Sequence, residues 1–136
     1  NPLAPFFEHN GFVLLDGGLS TQLERHGANL AGELWTTRVL LETPDKLRAA
    51  HRDFLEAGAD VIASATYQAS IPGLERCGMS ATTAAETMRG AIRLAREHPD
   101  REVVFFAIKP MDRPSYARFV VLAMSSRLTI AQRARS

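Results

Sequence analysis

Three short apolar runs, each ending in small or polar residues and separated by stretches of helical period, restrict the fold of this chain more than any other feature. Phe12-Val13-Leu14-Leu15 contains no polar residue and stops at Asp16-Gly17-Gly18. Such a run predicts a strand buried on both faces that ends in a backbone-permissive turn. Val61-Ile62-Ala63-Ser64-Ala65 is the second run and gives way to Thr66-Tyr67-Gln68; residues 101–108 form the third. The resulting order of strand, helix, helix, strand, helix, strand predicts βα units around a parallel sheet.

The helical stretches carry their own punctuation. Leu19 to His26 reads as a short helix with Leu19 and Leu23 on one face, closed by Gly27 in the left-handed position that follows many helices. Residues 29–34 read as loop, and the apolar cluster of Trp35, Val39, Leu40 and Leu41 as a turn or two of helix. Thr43-Pro44-Asp45 is a start signal: a hydroxyl to cap free amides, a proline preset for the first turn and an acid facing the positive helix end. The helix it opens presents Leu47, Ala50, Phe54 and Leu55 on one side and ends at Gly58. A loop containing Pro72 and Gly73 is expected next. Ser80 then caps a second long helix to about Glu97, with Ala84, Met88, Ala91, Ile92 and Ala95 in one stripe.

Composition narrows the function classes. The chain has 136 residues, 46% hydrophobic and 23% charged, which suits one globular domain. No apolar run approaches the roughly 18 residues of a membrane span, and the start lacks a basic segment followed by a long apolar one, so neither a membrane nor a secretory signal is expected. Cys77 is the single cysteine. It permits no internal disulfide and cannot alone make a four-ligand zinc site, which points to the cytoplasm. Charge is uneven: residues 1–98 hold 9 Lys/Arg against 12 Asp/Glu, and residues 99–136 hold 7 against 3. The basic end lacks interleaved aromatics and reads as a solvated tail, not a nucleic-acid contact.

Ligands of parallel α/β folds sit at the carboxyl ends of the strands. Two polar clusters fall there. In Asp16-Gly17-Gly18-Leu19-Ser20-Thr21 the glycines let backbone approach a ligand and the carboxylate can bind an amino group; a tight turn with Asp16 accepting backbone hydrogen bonds is an equal alternative. No phosphate-cradling glycine pattern is present. Ser64-Ala65-Thr66-Tyr67-Gln68 offers hydroxyl, phenol and amide groups to a polar small molecule, or else packs Tyr67 under the neighbouring loop. Glu24 and Glu33 read as solvated and His51 as structural. His9, His26 and His98 have no paired acid or nucleophile, so a Ser-His-Asp arrangement is not expected. Cys77 reads as an ordinary small apolar residue.

Taken together these residues resemble the zinc-dependent homocysteine S-methyltransferases that use S-methylmethionine or S-adenosylmethionine as methyl donor. The matching elements run in order from Leu15-Asp16-Gly17-Gly18-Leu19-Ser20-Thr21-Gln22-Leu23-Glu24, through Leu34-Trp35, Val39-Leu40-Leu41, and Pro44 with His51 and Phe54. They continue through Ala57-Gly58-Ala59-Asp60 and Ala65-Thr66-Tyr67-Gln68-Ala69-Ser70 to Gly73-Leu74 and the helix up to about Arg96. The resemblance implies the first three strands of a (β/α)8 TIM barrel. Asp16 with the Gly17 and Gly18 backbone would hold the amino-acid end of homocysteine, and Thr66, Tyr67 and Gln68 would line the same mouth. In the family, three cysteines on later strands bind zinc, and the metal keeps the homocysteine sulfur as the thiolate that takes the methyl group from a sulfonium donor. Cys77 matches none of them, so the resemblance assigns no metal ligand here.

Between about His98 and Ile108 the resemblance is expected to stop. Lys109-Pro110-Met111-Asp112 stands where the family has a Gly-Pro-Tyr-Gly turn. The expected organisation is therefore a homocysteine-binding barrel portion over 1–108 and a divergent basic tail over 109–136, either out of frame or disordered. The chain alone would then be inactive. A non-catalytic α/β module that binds a small amino acid or regulates a partner is the rival reading.

Overall fold

The computed structural model describes residues 3–32, 34–66, 69–97, 104–106 and 124–125, and from α2 to β2 it keeps the expected helix, strand, helix, strand succession. The helices are α1 (Ala4–Asn10), α2 (Leu19–Arg25), α3 (Trp35–Glu42), α4 (Pro44–Glu56), α5 (Ile71–Arg76) and α6 (Ala81–Ala95). The strands are β1 (Val61–Ala63), β2 (Val104–Phe106) and β3 (Met124–Ser125). β1 and β2 pair in parallel with Val61 opposite Val104 and Ala63 opposite Phe106, as a βα crossover through α5 and α6 requires. β3 joins the far edge of β2 antiparallel, a pairing the sequence pattern does not announce.

The first apolar run departs from expectation. It is reduced to an isolated parallel bridge between Leu15 and Val61. Leu14 is tied to the turn before β1: its carbonyl accepts from the Asp60 and Val61 amides at 2.8 and 3.2 Å, and its own amide donates to the Asp60 carboxylate at 2.9 Å. Phe12, Leu14 and Leu15 are nevertheless 59, 44 and 56% exposed rather than buried on both faces. The described pairing of this segment is to residues 60–61, and only Val13 of the run is half-buried.

The core gathers around α4, whose buried face is Leu47, Ala50, His51 and Leu55. Leu47 and Ala50 pack with Leu19 and Leu23 of α2, Val39 of α3, Ala65 and Leu94 of α6. Leu55 packs with Ala59, Ile62 and Ala95 in a second cluster, and Phe54 lies against both. α4 ends as predicted at Gly58, whose φ of +102° allows its amide to reach the Leu55 carbonyl and the Ala59 amide to reach that of Phe54. Gly27 closes α2 in the same way, with a φ of +71°. The start of α4 differs from expectation: the Thr43 hydroxyl donates back to the Val39 carbonyl at 3.4 Å and caps no amide of its helix.

Around Pro72 and Gly73 the structure has a helix where the sequence pattern predicts loop. The Ser70 hydroxyl accepts from the Gly73 amide at 3.0 Å, and proline occupies the first turn. Ser80 caps α6 by accepting from Thr83 at 3.1 Å, as expected. The buried stripe of α6 is Ala84, Thr87, Ala91, Leu94 and Ala95, rotated slightly from the predicted one so that Met88 and Ile92 are half-buried. Truncating Leu47, fully buried, to alanine is expected to lower unfolding free energy by about 2–5 kcal/mol in urea titrations. Leu41→Ala, at a half-exposed position, is expected to cost under about 1 kcal/mol.

Candidate functional site

Asp16 stands at the end of the bridged segment and is fixed to β1 twice. Its amide donates to the Val61 carbonyl at 2.9 Å, and its Oδ2 accepts from the Ala63 amide at 2.7 Å. The carboxylate therefore lies across the carboxyl end of β1, satisfying an amide that no strand partner takes on that side. The chain leaving β1 brings two hydroxyls to the same end: Ser64 Oγ and Thr66 Oγ1 are 2.8 Å apart and both are buried. The Thr66 amide turns back onto the Ser64 carbonyl at 2.8 Å. Tyr67 and Gln68, the remaining residues predicted for this mouth, lie outside the described residues, as do Glu33 and His98.

Half-burial pushes the Asp16 carboxyl above the usual carboxylate range, because the charged form loses hydration; its hydrogen bonds from the Ala63 amide and its own backbone oppose that rise. A carboxylate so placed gains from a cation that replaces the lost water.

Gly17 and Gly18 are exposed, and they serve different ends. Neither needs a left-handed backbone, since the positive-φ glycines lie elsewhere and Gly18 has φ −68°. A Cβ on Gly17 would stand 3.1 Å from Phe54 Cε1, a tight contact that the ring would have to yield to, so glycine here lets the turn lie close against α4. A Cβ on Gly18 would meet Thr21 Oγ1 at an ordinary 3.5 Å, which leaves its backbone open to an approaching molecule.

Sequence pattern missed an acid partner for His26. His26 Nε2 lies 2.6 Å from Asp53 Oδ2, and the Gln22 side-chain amide donates to the same oxygen. The hydrogen bond from His26 holds the Asp53 carboxyl below its ordinary range, reinforced by Gln22. The pair ties the end of α2 to α4, 27 positions apart in sequence, a separation at which no local pattern signals contact. His51 is fully buried in α4, in keeping with a structural role, and Glu24 is exposed. Cys77 is a free, exposed cysteine at the end of α5.

A polar cleft of about 360 Å³, unsignalled by any motif, lies between α3, the start of α4 and the loop after α2. Its cations serve that loop: Arg38 donates to the Asn29 and Ala31 carbonyls at 2.7 Å each, and Lys46 to the Gly27 carbonyl at 2.5 Å. No three His, Cys, Asp or Glu side chains among the described residues gather as metal ligands. No helix among them is long and apolar enough to cross a membrane.

An α/β chain with a carboxylate, exposed glycine backbone and buried hydroxyls at one end of its parallel strands is the class of protein these observations define. The homocysteine S-methyltransferase family profile matches residues 13–130, continuing past residue 108 where the sequence pattern sets the tail apart. The chain belongs to that family. It is 46% identical over 90 residues to the selenocysteine Se-methyltransferase of Brassica oleracea var. italica, covering 66% of this chain and 26% of that protein. Identity to homocysteine S-methyltransferase 4 of Zea mays is also 46% over 90 residues, with the same coverage. The crystal structure of the metallated form of the homocysteine methyltransferase MmuM from Escherichia coli superposes with a TM-score of 0.70 at 33% identity, covering 77% of this chain and 40% of that one. The chain thus spans about a quarter to a third of the length of the curated relatives it matches.

Three substitutions at Asp16 and Asp53 have expected stability outcomes. Asp16→Asn keeps an acceptor for the Ala63 amide and removes a desolvated charge, so at neutral pH its urea midpoint is expected to equal or exceed that of the parent. Because burial raises the folded-state value, the charge costs stability above that value, and the gap closes as pH falls through it. Asp16→Ala leaves the amide unpaired and is expected to cost about 1–3 kcal/mol. For Asp53 the sign is opposite. Its lowered value contributes stability above the ordinary carboxylate range that is lost on acidification, so thermal melts of Asp53→Asn should fall below the parent at pH 7 and converge with it below about pH 4.

Proposed function

We propose that this chain forms the first strands of a (β/α)8 barrel and carries the part of its mouth that binds the amino-acid end of homocysteine. The observation that carries the reading is the Asp16 carboxylate: half-buried, fixed to Ala63, and bordered by exposed Gly18 backbone at the carboxyl end of the parallel strands. Its charge suits the α-ammonium of an amino acid, and open backbone amides suit the α-carboxylate. The buried Ser64–Thr66 hydroxyl pair closes the polar floor, with Thr66, Tyr67 and Gln68 assigned to the same mouth by the family resemblance. In the complete barrel the reaction is transfer of a methyl group from S-methylmethionine or S-adenosylmethionine to the homocysteine sulfur, giving methionine.

The residues described do not fit a zinc site. The MmuM structure is of a metallated form, whereas among the described residues no ligand group assembles and Cys77 stands apart and exposed just beyond α5. No zinc-dependent step is therefore assigned to these residues, whose part is binding and orientation. A reducing cytoplasm is the compartment that suits the exposed thiol. Recognition at Asp16 concerns the amino-acid end and is indifferent to whether sulfur or selenium lies at the other.

Isothermal titration of the chain with L-homocysteine tests the reading. The parent is expected to bind, and Asp16→Asn to weaken binding by about ten- to a hundredfold, the range for a hydrogen bond to a charged group. Equal affinity in the two proteins would reduce Asp16 to a turn residue and overturn the assignment.

A further inference from the structure

Two adjacent residues of α4 grip the segment that begins at Asp16. Phe54 Cε1 stands 3.1 Å from where a Gly17 side chain would begin, and the ring lies against both central core clusters. Asp53, one position earlier, accepts from Gln22 on α2 and pairs with His26 just beyond its end. Side chains one residue apart on a helix diverge by about 100°, so the two reach separate points: the turn before α2 and the end of α2, about 10 Å away at 1.5 Å per residue. Ahead of that turn, Asp16 is held by Val61 and Ala63. Residues 16–26 are thus fixed at one end by β1 and along their length by α4.

From this juxtaposition we infer that Phe54 is the positioning residue of the Asp16-Gly17-Gly18 turn, with Asp53 as the second point of the same clamp. The inference rests on the reading of Asp16 as the amino-acid anchor. The ring fills the space beneath Gly17, so the turn can neither sink toward α4 nor lift without opening an apolar gap. Asp53 stops α2 from rotating about its axis, which would swing Gly18 and the carboxylate beside it. Phe54 itself touches no substrate; it sets where Asp16 stands.

Hydrogen exchange and homocysteine titration of the full chain test the clamp together. In Phe54→Leu, amides of residues 16–22 are expected to exchange at least about tenfold faster, while those of α6 stay within about twofold of the parent. Homocysteine affinity should fall about tenfold in Gly17→Ala, whose methyl meets the ring, and recover in Gly17→Ala/Phe54→Leu, where the smaller side chain makes room. Affinity losses that simply add in the double variant, or exchange that quickens equally in α6, would make Phe54 an ordinary core residue and overturn the inference. If Asp16→Asn binds homocysteine as well as the parent does, the anchor reading fails and exchange alone decides the clamp: selective quickening of 16–22 upholds it, and its absence removes it.

Discussion

The hydrogen bond from the Ala63 amide to the Asp16 carboxylate joins the two parts of the molecule on which the site depends. It is a long-range tie, 47 positions apart in sequence, between the end of a segment that barely pairs and the end of the strand that leads the sheet. With the Asp16 amide on the Val61 carbonyl, it fixes the start of α2 relative to β1. The same carboxylate is drawn far enough from water to favour a cationic partner, so one group serves both as structural tie and as candidate ligand.

α4 gives that tie a rigid base. Its buried face contributes to both central clusters, so displacing it would expose Leu47, Ala50 and Leu55 together, a loss of several kcal/mol at ordinary burial values. Asp53 and Phe54 extend from this anchored helix toward α2 and the turn. Stability and positioning therefore draw on the same helix, and core substitutions in α4 should be felt at the Asp16 turn.

Much of this was legible in the chain because the signals are local. α4 announces itself by Pro44, its apolar period and Gly58; α6 by Ser80; the parallel pairing by apolar runs spaced with helices between them. Local signals misled where tertiary context decides. Phe12 to Leu15 has the pattern of a buried strand, yet burial depends on neighbours that pattern alone does not supply, and Phe12, Leu14 and Leu15 are largely exposed. Thr43 has a capping hydroxyl that finds the Val39 carbonyl instead. α5 was hidden because proline and glycine together read as loop, although Ser70 caps the Gly73 amide and the proline sits in the first turn, where its missing N–H costs nothing. Of the site, the Asp16 turn was legible from strand-end logic. The reason for glycine at 17 and the pairing of His26 with Asp53 were not, because both are contacts between residues 27 or more positions apart.

On the proposed function, the Asp16 end of the sheet receives the amino-acid end of homocysteine. Amide nitrogen–proton spectra of the isotopically labelled chain, recorded through a homocysteine titration, test it most directly. Saturable shifts are expected, concentrated at Gly17, Gly18 and Ala63, with the amides of α6 unmoved. Shifts confined to the Arg38–Lys46 cleft, or no saturable shift at the Asp16 turn, would contradict it.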